Sequence, residues 1–281
     1  MIESLSDLLI PFQFPFMHGA FYIALLISPP TVLLSCFLVL KGWSLMGDAV
    51  SHAVLPGVVV AYIIGIPLII GAFVAGMICS LLTGCLDANS RVRQDTVMGV
   101  VFSGMFGLGL VLYTKIETNI HLDHILFGNM LGVETVDLWT SGIIGIFVSA
   151  ALLITWKDLL LIAFDPAQAR AIGLPTKLLH YGLLTILSLT IVATLKAVGL
   201  ILAIGLLIAP GAIAFLITRQ FRHMLVVAVI VSTFSLVTGV YLSFWIGSGP
   251  GPTVILTLTT LVIVAFIFRM LRNKAREAQS I

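Results

Sequence analysis

Apolar residues in this chain neither alternate nor recur every third or fourth position. They run on for about twenty residues at a time, broken by short clusters of Gly, Pro and charge. Wound as a helix rising ~1.5 Å per residue, a run of that length crosses the ~30 Å hydrocarbon layer of a bilayer. Such runs lie at about 17–40, 48–65, 67–86, 96–114, 138–156, 181–195, 199–218, 224–244 and 253–268. The period-two pattern of a membrane barrel is absent, and the runs are too long for barrel strands. The pattern predicts an all-α, polytopic transmembrane helical bundle. Its count is eight or nine spans, because 181–195 and 199–218 are short or closely joined. Pro29, Pro30, Pro56, Pro67 and Pro210, with the Gly-rich stretches, predict that some helices are kinked or broken. Membrane helices tolerate this where neighbours satisfy the freed backbone groups.

Composition agrees with the pattern. Of 281 residues, 14 are Lys or Arg and 12 are Asp or Glu, 60% are AVILMFWYC, and the mean hydropathy is +1.19. A soluble domain would carry roughly 25% charged residues. No internal repeat, low-complexity tract or soluble module interrupts the chain, so residues 1–281 read as one integral membrane domain. The first 15 residues lack the basic region and small-residue cleavage site of a secretory signal. Leu5, Leu8, Leu9 and Phe12 predict a short helix lying at the membrane interface there. Cys36, Cys79 and Cys85 lie in or beside apolar runs, as small core hydrophobes rather than a disulfide framework.

Charge sets an expected orientation. Lys41, Arg91, Arg93, Lys157, Arg170, Lys177, Arg219 and Arg222 can all be cytoplasmic together with the tail 269–281. That leaves only Lys115 and Lys196 outside, in keeping with the positive-inside rule. The C-terminus is then expected in the cytoplasm, and nine spans would put the N-terminus outside. The net charge of +2 reflects these loops and does not point to nucleic acid.

Against this apolar background, Asp48 and His52 stand four residues apart. An ionisable residue in a membrane span is costly and normally has a partner or a path to serve. At i and i+4 on a helix the two project from one face and can jointly hold a cation. They can also be a structural hydrogen-bonded pair that satisfies itself. Gly47, Pro56 and Gly57 flank them, predicting an irregular helix of the kind that lines a cavity. One chain supplies two good ligands, so a complete site calls for a second copy; two carboxylates and two imidazoles suit Mn, Fe(II) or Zn. Span counting sets Asp48 near the cytoplasmic end of its helix, since Lys41 sits just before it.

Two polar segments add weaker candidates. In the outer segment 115–137, His121, Asp123 and His124 could contact a transition metal or form a hydrated loop facing a partner. In the segment 157–180, expected as a cytoplasmic loop, Asp165 and Pro166 supply an N-cap and an N1 proline. Ala167, Gln168, Ala169, Arg170 and Ala171 then form a short helix closed by Gly173 and Pro175, as a docking element or a simple surface helix. No phosphate-binding loop, no H-E-x-x-H and no Ser/His/Asp grouping occurs, so nothing supports catalysis by this chain.

Three stretches carry a resemblance. Gly47 to Gly57 (GDAVSHAVLPG) is similar to the corresponding helix of the metal-specific permeases of bacterial ABC importers, the ABC-3 family. Asp95 to Ser103 (DTVMGVVFS) resembles that family's entry to the next span, and Leu206 to Ala214 (LLIAPGAIA) its proline-centred late span. The family often has Ala where Gly211 stands. The likeness runs from about residue 16 to 268 and is nearest to manganese/iron permeases of the enterobacterial type. It implies an inner-membrane permease subunit of an ATP-driven importer of Mn(II) and/or Fe(II), with zinc as the alternative cargo and no permanently bound cofactor. It implies separate ATPase subunits, a periplasmic or extracellular metal-binding protein, and a second permease protomer, identical or paralogous. By the same resemblance Asp48 and His52 belong to the transport site, and Asp165 to Gly173 is the coupling helix seated on the ATPase. A secondary transporter running alone on an ion gradient is the less favoured class, because the spans hold no further buried acids for a proton or sodium route.

Overall fold

The structure is a computed structural model that describes residues 7–115, 128 and 130–279. Among these residues the long apolar runs are all helical and no strand occurs. The helices are α1 (Pro15–Lys41), α2 (Met46–Ile64), α3 (Leu68–Asn89), α4 (Gln94–Lys115) and α5 (Thr135–Phe164). There follow α6 (Pro166–Ala171), α7 (Thr176–Val198), α8 (Leu200–Ile217), α9 (Phe221–Ile246) and α10 (Pro250–Gln279). Among the described residues, nine of these are long and apolar enough to cross a membrane, and α6, at six residues, is not.

The eight-or-nine ambiguity is resolved at Gly199. α7 runs for 23 residues and α8 for 18, with this single glycine between them at φ 84 and ψ 171. Only glycine adopts that backbone region without strain, so one residue ends one span and starts the next. The short run at 181–195 is the middle of a full-length helix whose ends carry polar side chains.

Two groups of helices pack side by side. α1 is the most enclosed span and lies against α5, α8 and α9, while α10 closes over α8 and α9. α2 packs on α3 and α4, and α7 bridges the groups by touching α3, α5 and α8. Small residues set the closest approaches, as expected where lipid removes the hydrophobic drive and packing must hold helices together. α2 and α3 cross at Gly57 and Gly71, where a Cβ on either would strike the other's carbonyl oxygen. α1 and α8 meet at Ser35 and Gly211: Gly211 N–H donates to Ser35 Oγ at 3.1 Å, and a Cβ at 211 would lie 2.5 Å from that oxygen. Glycine at 211 therefore has a local steric reason. Buried hydroxyls add interhelical bonds, Ser28 to Ser232 at 3.1 Å and Ser80 with Ser188 at 3.3 Å.

The structure adds three details. The segment 157–180 is mostly helix: α5 continues to Phe164 and α7 begins at Thr176, leaving 165–175 as the connection. The reason is that Lys157 and Asp158 are followed by apolar residues of which Leu159 and Ile162 are buried, so the 30-residue α5 projects past the hydrocarbon at ~45 Å. Near the N-terminus the short helix is a 3-10 turn over Asp7–Gln13 with Pro11 inside it. Its Phe12 stacks on Phe21 at 5.1 Å and approaches Tyr241, so it lies against α1 and α9. Finally, α2 is one continuous helix with Pro56 inside it.

Candidate functional site

α1 ends in a left-handed glycine, Gly42 at φ 70, and the chain folds back within four residues to start α2. Trp43 fastens this turn. Its N–H donates to Leu38 O at 2.7 Å, Lys41 Nζ stands 3.9 Å over its ring, and the edge of His180 on α7 meets it at 5.2 Å between centroids. Asp48 thus falls in the first turn of α2, where unpaired backbone N–H groups favour a negative charge.

One turn later His52 returns to Asp48, with Nε2 3.2 Å from Oδ1. The side chains keep 26% (His52) and 33% (Asp48) of their surface, so the pair is half-buried and open on one side. Two aromatic residues of α4 wall the imidazole: Phe102 at 5.8 Å and Phe106, edge-on, at 5.4 Å. Because a carboxylate can only accept, the ring carries its proton on Nε2 when it donates to Asp48. Nδ1 is buried and has no hydrogen-bond partner. Pro56, four residues on, has no N–H to offer the His52 carbonyl, so a second acceptor on this turn also lacks its helical donor.

The spacing suits a shared cation as well as a hydrogen bond. Two ligand atoms ~2.1 Å from one metal and separated by ~90–110° stand roughly 3.0–3.4 Å apart. Thus a cation held by Nε2 and Oδ1, with the ring proton moved to Nδ1, would require little movement of either side chain. Among the described residues no group of three or more His, Cys, Asp or Glu comes together, so the pair has no third side-chain ligand of that kind within the described part of this chain. His121, Asp123 and His124 lie outside the described residues.

Beside the pair, α4 turns a bare face outward. A Cβ at Gly99, Gly104 or Gly107 would meet nothing within 4 Å, and Ser103 between them is exposed. In the span-length window of α4 only 22% of residues are buried, against 61% for α2.

The second element is α6. Asp165 Oδ1 accepts from Ala167 N at 3.0 Å and Gln168 N at 2.9 Å, with Pro166 at the first helical position. Gly173, at φ 82, closes the other end, where Leu174 N–H donates to Ala169 O at 3.0 Å. Only Ala169 of the helix is buried; Ala167, Gln168 and Arg170 are exposed, and Phe164 and Ile172 flank them at 70% and 62% exposure. The result is a capped turn with exposed apolar side chains at its ends.

Three features escaped the sequence reading. Phe102 and Phe106 lie 50 or more positions from His52, and no periodicity links them to it. His180 meets Trp43 edge-on and so pins the α1–α2 turn, a contact across more than 130 positions. Lys196 and Asp137, from α7 and α5, form an ion pair at 2.5 Å.

Comparison with known proteins gives a consistent picture. The family model described as the ABC 3 transport family matches residues 13–269. The chain is 54% identical over 266 residues to the chelated iron transport system membrane protein YfeD of Yersinia pestis, covering 93% of this chain and 88% of that one. It is 45% identical to the manganese transport system membrane protein MntB of a Synechocystis strain, over 92% of this chain and 84% of the relative. A chain in the solved structure of PsaBC from Streptococcus pneumoniae in complex with Fab superposes with a TM-score of 0.83 at 31% identity, covering 94% and 95% of the two chains. An inward-facing structure of a metal-chelate type ABC transporter shares the fold, with a TM-score of 0.66 at 17% identity.

Proposed function

The chain belongs to the ABC 3 transport family, and from that premise we propose that it is the membrane-spanning permease subunit of an ATP-driven importer of Mn(II) and/or Fe(II). The observation that carries the reading is the Asp48–His52 pair, 3.2 Å apart and open on the thinly covered side of α2 and α4. Relatives named for chelated iron and for manganese transport support the cargo. Zinc is the alternative, since an oxygen and an imidazole ligand do not exclude it.

A second protomer completes the site. Two copies related by a two-fold axis would bring two Asp48 and two His52 side chains to one cation, with water in any open positions. The bare face of α4 lets a partner helix approach closely beside the pair. Metal entry at Nε2 moves the ring proton to Nδ1, so a neutral imidazole takes the ion without net proton release.

Energy comes from separate ATPase subunits docked on α6, the coupling helix. Asp165, Pro166, Ala167, Gln168, Ala169, Arg170 and Gly173 form it, and its rigidity lets movement of the ATPase reach α5 and α7 without being absorbed in the loop. A separate binding protein on the outer face delivers the cargo. The protein resides in the bacterial inner membrane with the C-terminus of α10 in the cytoplasm, as the distribution of basic residues supports.

The test is uptake by cells expressing the full set of subunits, with Mn, Fe(II) and Zn in competition and wild type beside His52→Ala. Saturable uptake that the substitution abolishes supports the route and ranks the metals. Uptake by this chain alone in ATP-free vesicles would favour a gradient-driven transporter instead.

A further inference from the structure

Three arginines converge where α8 ends beside α10. Thr218 and Arg219 follow the last turn of α8, and Arg269 Nη1 of α10 donates to Leu216 O at 3.3 Å. Around this contact lies an open cleft of about 70 Å³, lined by Leu216, Thr218, Arg219, Phe268, Arg269 and Arg272. The carbonyl end of α8 brings partial negative charge, which Arg269 answers. Arg219 and Arg272 have no such partner: among the described residues the ion pairs are His52 with Asp48 and Lys196 with Asp137. Two exposed guanidinium groups therefore line the cleft without a carboxylate partner among the described residues.

The surroundings say what kind of anion fits. Along α10 the surface beside the cleft is apolar and bare, with Ile263, Phe266, Ile267 and Phe268 exposed by 46–58%, and Phe215 of α8 is exposed by 49%. α10 is the least buried of the candidate spans, with 17% of its window covered. A guanidinium matches phosphate oxygens with its planar fork, and the neighbouring apolar stripe matches hydrocarbon. Few ligands present both at once.

We propose that this cleft is a binding site for a phosphate-bearing anion, supplied by the headgroup of an anionic phospholipid whose acyl chains lie along α10. Arg219 and Arg272 hold the phosphate, and Arg269 joins the site to the end of α8. The lipid belongs to the leaflet at the basic end of the bundle, where anionic headgroups and juxtamembrane arginines attract one another. A free phosphate would satisfy the guanidinium groups but would make no use of the apolar stripe.

The experiment is lipid binding to the full-length chain in mild detergent, read by native mass spectrometry and by thermal stability. Phosphatidylglycerol is compared with phosphatidylcholine, and inorganic phosphate is added as a competitor. The expected result is a saturable phosphatidylglycerol adduct that R219Q/R272Q weakens roughly 20-fold, given a several-fold effect per basic residue near an anionic headgroup. R219K/R272K keeps most of the affinity, which separates loss of charge from loss of folding. R222Q, on the same rim but outside the cleft, leaves the adduct unchanged. The proposal is overturned if R222Q weakens binding as much as the double substitution, because binding would then be diffuse surface attraction. Displacement of the lipid by millimolar inorganic phosphate would make the site one for a free anion. Unaltered lipid binding with loss of ATPase-subunit capture would make the cleft a protein dock.

Discussion

Gly57 on α2 and Gly71 on α3 approach so closely that a Cβ on either would strike the other's backbone, whereas a Cβ at Gly99, Gly104 or Gly107 on α4 would meet nothing within 4 Å. The same missing side chain does opposite things on adjacent helices. At the α2–α3 crossing the small residue is used up by a contact inside the chain. On α4 it is held open, on the helix whose Phe102 and Phe106 wall the His52 ring. The contrast separates a surface this chain completes by itself from one that, in the proposed dimer, a second copy would cover.

The sharpest way to break the comparison is to put bulk on both faces. Gly57→Leu should prevent accumulation of folded protein, at a cost of about 3 kcal/mol or more from overpacking. Gly107→Leu should leave the chain's own folding within ~0.5 kcal/mol of wild type. Thermal unfolding in detergent reads both, and equal losses would erase the distinction. The next effect is functional: Asp48→Ala should lower metal uptake more than about tenfold in the assembled system while the amount of assembled complex stays constant. Normal uptake in that variant would return the pair to a structural hydrogen bond. Gly107→Leu should in turn weaken self-association about tenfold or more, measured by sedentation-free means such as single-molecule photobleaching in nanodiscs.

Smaller effects test the closed side. Gly211→Ala should destabilise by about 1–3 kcal/mol, because the new Cβ meets Ser35 Oγ at 2.5 Å where α1 and α8 touch. A neutral result would mean that α1 and α8 can separate freely, contrary to the enclosed character of α1. Asp165→Ala should cost about 1 kcal/mol through loss of the two cap hydrogen bonds of α6. Hydrogen exchange at Ala167 and Gln168 would register it, together with a fall in ATPase-coupled uptake.

Much of the fold was legible because a bilayer demands long apolar runs, and each of them is a helix near its expected place. Asp48 and His52 were legible for a related reason: charge is conspicuous in an apolar chain, and an i, i+4 spacing has one geometric meaning on a helix. The cap of α6 was readable as well, since Asp-Pro at a helix start and Gly at its end are local signals. What the sequence concealed is contact between distant helices. Spans that are apolar on every side carry no stripe to show which neighbour they face. Hence the Phe102 and Phe106 walls, the Trp43–His180 pin and the Gly57–Gly71 crossing emerge only with tertiary structure. The length of α5 was hidden differently, because Lys157 and Asp158 resemble a loop boundary although the apolar helix resumes after them.

The most direct test of the central claim is the stoichiometry of Mn(II) bound to the assembled permease, by metal analysis after equilibrium dialysis, for wild type and for Asp48→Ala. The account predicts one high-affinity ion for every two chains in the wild type and none in the variant. One ion for each chain, or binding that survives the loss of Asp48, would contradict it.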